Sequence, residues 1–119
     1  MNYKDILKNG KSKIAVWGTG YIGLSTMAFF SKSKIKCVGY DIDKKKVAVI
    51  NSGKLPIKEL KDWFGFDIKN SVNKKYLTAT SNHNIFEDNS FNVHFIAIPT
   101  EKNGKPFFDI LFNVLEKLI

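Results

Sequence analysis

The hydrophobic pattern of the first half of the chain alternates short apolar runs with stretches of helical periodicity. Residues 14–17 form a continuous apolar run, the pattern of a strand covered on both faces, and residues 35–40 are predicted to form a second strand. Apolar residues recur at helical spacing over residues 21–32, which predicts a helix between these strands. A further helix is expected from Asp43, acting as its N-cap, to about residues 52–53.

The second half of the chain is less regular but ends on clear patterns. We predict a short strand over Leu77–Thr80, a strand over residues 91–98 that Pro99 ends, and an amphipathic helix over Asp109–Leu118. Shorter elements are also expected: a helix over residues 2–9 stopped by Gly10, a helix over residues 59–64, a loop over residues 70–75, a helical turn capped by Ser81 or Asn82 and running to Phe86, and a surface turn over residues 102–106.

This alternation of strands and helices is typical of an α/β protein with a doubly wound parallel sheet. We predict a single Rossmann-type domain over residues 1–119, in which four parallel strands lie in the order 3-2-1-4 with helices on both faces. The strand at residues 91–98 is then an edge strand. Because an exposed apolar edge invites pairing with another chain, we expect a homodimer through this edge.

Composition and charge narrow the range of partners. Of the 119 residues, 44% are hydrophobic and 25% charged, the balance of an ordinary folded protein. The formal net charge is +8, but the 19 basic residues are lysines spread along the chain without a motif that reads nucleic acid. An anionic nucleotide ligand or simple solubility accounts for this charge better than a nucleic-acid partner does.

The chain carries no pattern of disulfides, metal ligands or membrane spans. Cys37 is its one cysteine and lies among apolar residues, where we expect a small buried side chain and no metal site. The first dozen residues are polar, and no apolar stretch approaches the ~20 residues of a membrane span. A cytoplasmic location is therefore expected.

A glycine-rich turn joins the first predicted strand to the helix that follows it. Gly18, Gly20 and Gly23 have the G-x-G-x-x-G spacing of turns that hold the pyrophosphate of a dinucleotide. Gly18 would allow the tight turn, Gly20 would let the backbone approach the phosphates, and Gly23 would let the helix pack closely on the strand. The amides of Tyr21 and Ile22, at the helix N-terminus, would face the negative phosphates.

An acid at the end of the next strand completes the dinucleotide pattern. Asp41 lies 18 residues after Gly23, near the ~20 expected of a carboxylate that accepts hydrogen bonds from the adenosine ribose. A carboxylate there repels a 2′-phosphate, and the chain has no arginine, so NAD is favoured; the lysine run at residues 44–46 keeps NADP open. The alternative is a glycine turn in a Rossmann-like fold that binds nothing.

Three blocks of sequence occur in an order that is specific to one family. They are the glycine-turn block at residues 13–24, the Gly-Tyr-Asp-Ile-Asp-Lys-Lys-Lys-Val block at residues 39–47, and Asn-Ser-Gly-Lys-Leu-Pro-Ile-Lys-Glu at residues 51–59. Together they resemble the NAD-binding N-terminal domain of the UDP-glucose/GDP-mannose dehydrogenase family. The third block is the discriminating one, since it is not a general Rossmann feature, and residues 77–81 and 95–100 continue the resemblance in order.

The resemblance implies part of a nucleotide-sugar 6-dehydrogenase of polysaccharide biosynthesis. Such enzymes oxidise the C6 alcohol of a UDP-sugar to a carboxylate in two NAD-dependent hydride transfers, through a cysteine thioester. By the matching positions, the glycine turn would hold the pyrophosphate, and Asp41 would hold the ribose with Lys46 beside it. Thr80, Pro99 and Thr100 would line the nicotinamide side, with Thr100 near the reacting centre in a supporting catalytic role.

The sequence departs from the family pattern at two loops and in its length. Glu101 and Leu60 stand where the family favours proline. The resemblance places the catalytic cysteine and the sugar-binding domain beyond this chain, and Cys37 does not match that cysteine. We therefore expect a cofactor-binding fragment that is inactive alone. The Ile-Pro-Thr form at residues 98–100 resembles N-acetylhexosamine-type members more than glucose-type ones.

Two other functions remain open on the sequence. One is a stand-alone regulatory module that senses a dinucleotide, and the other is a truncated gene product that folds but serves no function. The proline-bearing segment at residues 55–59 favours the dehydrogenase fragment over the sensing module, because a sensing module needs no such segment.

Overall fold

A computed structural model of the protein describes residues 2–9 and 11–119; Gly10, the predicted stop of the first helix, lies outside them. The strands are β1 (Lys13–Trp17), β2 (Cys37–Tyr40), β3 (Leu77–Thr80), β4 (Phe91–Ile96), β5 (Glu101–Lys102) and β6 (Lys105–Pro106). The helices are α1 (Tyr3–Lys8), α2 (Tyr21–Lys32), α3 (Lys44–Asn51), α4 (Leu60–Phe64), α5 (Lys69–Asn73) and α6 (Asp109–Leu118), with a 3₁₀ helix at His83–Glu87.

The first four strands form one parallel sheet in the order β3-β2-β1-β4, which confirms the predicted topology. β1 is central, because Ala15 pairs with Val38 of β2 on one side and with His94 of β4 on the other. Since parallel strands point the same way, the carboxyl ends of β1, β2 and β4 open at one edge of the sheet. Ligands of open α/β sheets bind at this edge, where the strand order reverses.

Alternate residues of β1 enter two cores, one on each face of the sheet. Ile14 and Val16 pack with buried side chains of α2, α3, α4 and α5. Ala15 and Trp17 belong to a second cluster that contains Val114 of α6. Helices therefore cover both faces, as predicted, and β1 is held from both sides immediately before the glycine turn.

The element boundaries follow the sequence pattern closely, with one wrong assignment. The helix at Tyr21–Lys32, the strand at Leu77–Thr80 and the helix at Asp109–Leu118 have their predicted limits, whereas β4 ends at Ile96, two residues early. The predicted loop at residues 70–75 is wrong, because α5 occupies Lys69–Asn73. Ser71 and Val72 are buried there, so packing against the core outweighs the polar composition of the segment.

Two side-chain caps and a hairpin complete the connections. Asp43 caps α3 as predicted, since its Oδ1 accepts hydrogen bonds from the backbone N–H groups of Lys45 and Lys46. Of the two predicted caps of the helical turn, Asn82 is the one observed, and its Oδ1 accepts from the N–H of Asn84. The predicted surface turn at residues 102–106 is the tip of the β5–β6 hairpin.

Candidate functional site

A pocket of about 710 Å³ opens at the carboxyl edge of the sheet. It is lined by residues 18–22 of the glycine turn, residues 40–42 after β2, residues 97–99 after β4, Lys46 of α3, and Ile110, Asn113, Val114 and Lys117 of α6. This volume lies within the ~300–1,000 Å³ of typical small-molecule sites. The pocket therefore brings together parts of the chain that lie 99 residues apart in sequence, from 18 to 117.

Two of the three glycines in the turn are required by the backbone around them. Gly18 has φ of +102°, and a Cβ there would overlap the carbonyl oxygen of Ala97. A Cβ on Gly23 would overlap the carbonyl oxygen of Gly18, so α2 can lie this close to the turn only with glycine at that position. Gly20 differs from both, because a Cβ there would meet no described atom within 4 Å.

The N-terminus of α2 faces the pocket without a side-chain cap. Gly20 is the N-cap residue, and no side chain accepts a hydrogen bond from the first turn at that cap. The backbone N–H groups at the start of a helix have no partner within the helix, and its dipole favours negative charge there. Together with the open space in front of Gly20, this arrangement fits an approaching phosphate group.

Asp41 lines the same pocket at the end of β2, where four donors hold its carboxylate. Its Oδ2 accepts hydrogen bonds from the Thr19 hydroxyl at 2.6 Å and the Thr19 N–H at 3.2 Å. The Lys46 ammonium lies 3.4 Å from the same oxygen. Oδ1 accepts from the N–H of Asp43 at 2.9 Å. The side chain is only 12% exposed, so its orientation is fixed by these bonds rather than by solvent.

These contacts also set the charge state of Asp41. Partial burial acts to raise its pKa, but the Thr19 hydroxyl, the Asp43 N–H, the Lys46 ammonium and the Thr19 N–H outweigh it and hold the pKa below the ordinary value. The carboxylate is therefore ionised at neutral pH and acts purely as a hydrogen-bond acceptor. An ionised acceptor of this kind suits a sugar hydroxyl and repels a phosphate.

The pocket unites most of the sequence-predicted binding residues. Seven of them line it: Gly18, Gly20, Tyr21, Ile22, Asp41, Lys46 and Pro99. Gly23 lies beneath the turn, buried against Gly18. The functional roles assigned to all of these residues stay predictions.

The two predicted threonines do not line the pocket. The Thr80 hydroxyl accepts a hydrogen bond from the N–H of Asn82, and the Thr80 carbonyl accepts one from the N–H of Asp41. Thr100 is exposed, and its carbonyl accepts from the N–H of Phe107, the residue that follows the hairpin. Their predicted place on the nicotinamide side therefore depends on the family resemblance alone.

The sequence did not predict several of the lining residues, and two groups of them carry polar side chains. The first is Thr19, which lies between the first two glycines. A polar side chain in a turn that follows a buried strand is a signal for a local hydrogen bond. The other group is the α6 face at Ile110, Asn113, Val114 and Lys117, which has the i, i+3, i+4, i+7 spacing of one helical stripe. Asn113 and Lys117 are polar residues within that stripe, which distinguishes it from a purely packing surface.

Within residues 2–9 and 11–119 the structure contains no group of three or more His, Cys, Asp or Glu side chains placed to hold a metal ion. The helices of this described part include none that is long and apolar enough to cross a membrane.

A parallel sheet in this order, with a glycine turn at a helix N-terminus and an acid after the second strand, defines a dinucleotide-binding domain of the Rossmann type. The model of the NAD binding domain of the UDP-glucose/GDP-mannose dehydrogenase family matches residues 12–118. The chain therefore belongs to this family, and NAD is the cofactor of the domain.

Individual relatives carry the same family assignment. The chain is 42% identical over 98 residues to the UDP-N-acetyl-D-mannosamine dehydrogenase of Campylobacter jejuni, covering 81% of this chain and 22% of that protein. It is 38% identical over 112 residues to the UDP-glucose 6-dehydrogenase of Campylobacter jejuni subsp. jejuni, covering 89% of this chain and 27% of that protein. The solved UDP-D-ManNAc dehydrogenase of Pyrococcus horikoshii superposes with a TM-score of 0.74 and 30% identity, over 89% of this chain and 25% of that one. The chain thus spans about a quarter of the length of these relatives.

Proposed function

We propose that this chain holds NAD for the oxidation of the C6 alcohol of a UDP-sugar, as the cofactor-binding part of a longer dehydrogenase. The observation that carries the proposal is the convergence of the uncapped α2 N-terminus and the ionised Asp41 on one pocket. A dinucleotide needs both features at once, because its pyrophosphate is anionic and its adenosine ribose presents hydroxyl donors.

The lining residues divide the cofactor between them. The pyrophosphate would lie in front of Gly20 and accept hydrogen bonds from the N–H groups of Tyr21 and Ile22. The adenosine ribose would bind Asp41, with Lys46 beside it, and the nicotinamide would extend towards residues 99–100. NAD, when bound, supplies the acceptor for the hydride leaving C6, while the residues of this chain bind and orient it.

The oxidation itself needs groups that this chain does not supply. Its one cysteine, Cys37, is 1% exposed, lies in β2, and has a pKa raised to about 12 by burial. A thiol in this state is not a nucleophile at neutral pH, because the thiolate is the reactive form. We therefore propose that the chain alone binds NAD but does not turn over a UDP-sugar.

For the substrate we propose a UDP-N-acetylhexosamine, used in polysaccharide biosynthesis in the cytoplasm. Two observations support this choice over UDP-glucose: the Ile-Pro-Thr sequence at residues 98–100, and the higher identity to a UDP-N-acetyl-D-mannosamine dehydrogenase. Two chimeras test this choice, in which residues 12–118 replace the matched segment of each of the two Campylobacter jejuni relatives. Because the sugar-binding part then comes from the relative, the readout is the fraction of each host's own kcat/KM that survives. We expect the chimera with the UDP-N-acetyl-D-mannosamine dehydrogenase to keep the larger fraction, and a larger fraction kept by the chimera with the UDP-glucose 6-dehydrogenase would contradict the substrate assignment.

Calorimetric titration of the 119-residue chain with NAD and NADP tests the binding function directly. We expect NAD to bind and Asp41→Ala to weaken NAD binding by about tenfold or more, since an ionised acceptor for the ribose is lost. Asp5→Ala, on α1 and outside the pocket, removes the same charge and serves as the matched control. Absence of NAD binding at millimolar cofactor would overturn the proposal.

We also propose that the chain pairs with a second copy through the free edge of β4. β4 is the last strand of the four-stranded sheet on that side, and Phe95 on it is 37% exposed. Unpaired N–H and C=O groups beside apolar side chains favour strand pairing. Sedimentation equilibrium at micromolar concentrations should give the mass of a dimer, and a monomer throughout that range would contradict the pairing.

A further inference from the structure

Thr19 lies between the first two glycines of the turn and is fully buried. Its hydroxyl and its N–H both donate to Asp41 Oδ2, at 2.6 and 3.2 Å. We propose that Thr19 is a positioning residue that fixes the Asp41 carboxylate for the ribose hydroxyls and thereby sets a preference for NAD over NADP. This inference rests on the proposed NAD site.

The side chain of Thr19 is held at both of its ends. Its methyl group lies over Gly39 of β2, where a Cβ would be 2.9 Å from Thr19 Cγ2. Its hydroxyl is bound to Asp41, the second residue after Gly39 along the chain. Because χ1 of threonine has few staggered wells, rotation would break the hydroxyl contact or displace the methyl group. One side chain thus ties the glycine turn to the end of β2.

The donors are distributed unequally between the two oxygens of Asp41. Oδ2 accepts from the Thr19 hydroxyl, the Thr19 N–H and Lys46, whereas Oδ1 accepts among the described donors only from the N–H of Asp43. An ionised carboxylate has about four acceptor sites, or about two on each oxygen. The three donors at Oδ2 fill that oxygen, whereas Oδ1 keeps about one site, where a ribose hydroxyl finds an acceptor in a fixed position.

The same bond opposes a cofactor with a 2′-phosphate. Such a phosphate adds close to two negative charges, and Asp41 cannot turn away from it while the buried Thr19 hydroxyl holds Oδ2. Loss of the hydroxyl would let the carboxylate rotate and free Lys46, now 3.4 Å from Oδ2, to pair with the phosphate. NAD should then lose affinity while NADP loses little or gains.

Thr19→Val keeps the shape and the backbone bond but removes the hydroxyl, whereas Thr19→Ser keeps the hydroxyl and removes the methyl group. Titration of the 119-residue chain at pH 7 should show NAD weakened about tenfold in Thr19→Val and NADP changed by less than about twofold. Thr19→Ser should keep the ratio of NAD to NADP affinity within about twofold of the original chain.

The pKa of Asp41, followed by carboxyl ¹³C NMR, supplies a readout that a loss of packing alone would not move. In the original chain it should lie below the ordinary value for aspartate, and Thr19→Val should raise it because one stabilising bond to the carboxylate is gone. The other charged groups that contact or flank this carboxylate, Lys46 and Asp43, are unchanged in both variants. As the pH is lowered, the NAD affinity of Thr19→Val should therefore begin to fall at a higher pH than that of Thr19→Ser, because its Asp41 is protonated earlier.

The outcomes separate the two proposals. If the original chain does not bind NAD, the proposed function fails and the preference fails with it. If it binds NAD while Thr19→Val keeps both the NAD to NADP ratio and the Asp41 pKa, only the role of Thr19 is overturned. Thr19→Val must fold for this comparison, as judged by its thermal melt. If it does not, the original chain still tests the role of Thr19: a pKa of Asp41 at or above the ordinary value would mean that the Thr19 hydroxyl does not stabilise the carboxylate, and would overturn that role.

Discussion

The two ends of the pocket are built in different ways. At the turn and β2, Thr19 is fully buried, Asp41 is held by four donors, and two glycines are fixed by backbone contacts. At the end of β4, Pro99 and Thr100 are exposed, and the hairpin that follows is exposed along residues 101–106. The first end is ordered by its own hydrogen bonds before any ligand arrives, whereas the second has few contacts that fix it.

This difference indicates where the binding free energy of this chain comes from. A preorganised site loses little conformational freedom when a ligand binds, so its hydrogen bonds contribute more of their strength to affinity. We therefore expect the adenosine and pyrophosphate half of the cofactor to supply most of the affinity, and the nicotinamide half to gain its contacts mainly in the longer enzyme that we propose.

The largest expected effect comes from Gly23, where the preorganised end depends on close backbone contact. Gly23→Ala puts a Cβ into the carbonyl oxygen of Gly18, and neither backbone can move without disturbing β1 or α2. We expect a loss of about 3 kcal/mol in the free energy of unfolding, measured by urea denaturation. A variant as stable as the original chain would show that the turn is less tightly fixed than its geometry indicates.

Gly20→Ala is the matched substitution and should separate binding from stability. A Cβ at Gly20 meets no described atom within 4 Å, and its φ of −78° suits alanine, so the thermal midpoint should change by only a few degrees. The methyl group would occupy the space in front of the α2 N-terminus, and NAD affinity should fall by about tenfold or more. Retained affinity would place the pyrophosphate elsewhere.

Separated halves of the cofactor test the comparison without any mutation. ADP-ribose contains the adenosine and the pyrophosphate and should bind within about fivefold of NAD, whereas nicotinamide mononucleotide should bind at least about tenfold more weakly. Competition titrations against NAD measure both. Equal affinity for the two halves would remove the distinction between the preorganised and the exposed end.

The sequence predicted the preorganised end well because its constraints are local. Gly18, Gly20 and Gly23 have a fixed spacing. Asp41 comes directly after the second strand, and its separation from the glycines is set by the helix and the turn between them. The strand order also followed, since a parallel sheet with right-handed connections leaves few alternatives. The helix α5 was not predicted. It forms because Val72 is buried by residues distant in sequence, and the polar composition of the segment gives no sign of that burial.

The contribution of α6 could not be predicted because it depends on tertiary packing. The helix itself was expected at Asp109–Leu118, but its position over the pocket follows from Val114 packing with Trp17 in the second core. Through that contact Asn113 and Lys117 reach the cofactor pocket, although Lys117 lies 99 residues after Gly18 in the sequence. A helical stripe shows which residues share a face, but not which surface that face covers.

The smallest effect is expected at Thr100, on the exposed end. Its side chain does not line the pocket, so Thr100→Ala should weaken NAD binding to this chain by no more than about twofold, as measured by calorimetric titration. In the chimera with the UDP-N-acetyl-D-mannosamine dehydrogenase of Campylobacter jejuni, the same substitution should lower kcat more than it raises KM for NAD, because we expect Thr100 to support the reacting centre there. A loss of NAD affinity in the isolated chain as large as the loss of kcat in the chimera would contradict this expectation. It would mean that the exposed end already holds the nicotinamide in the isolated chain.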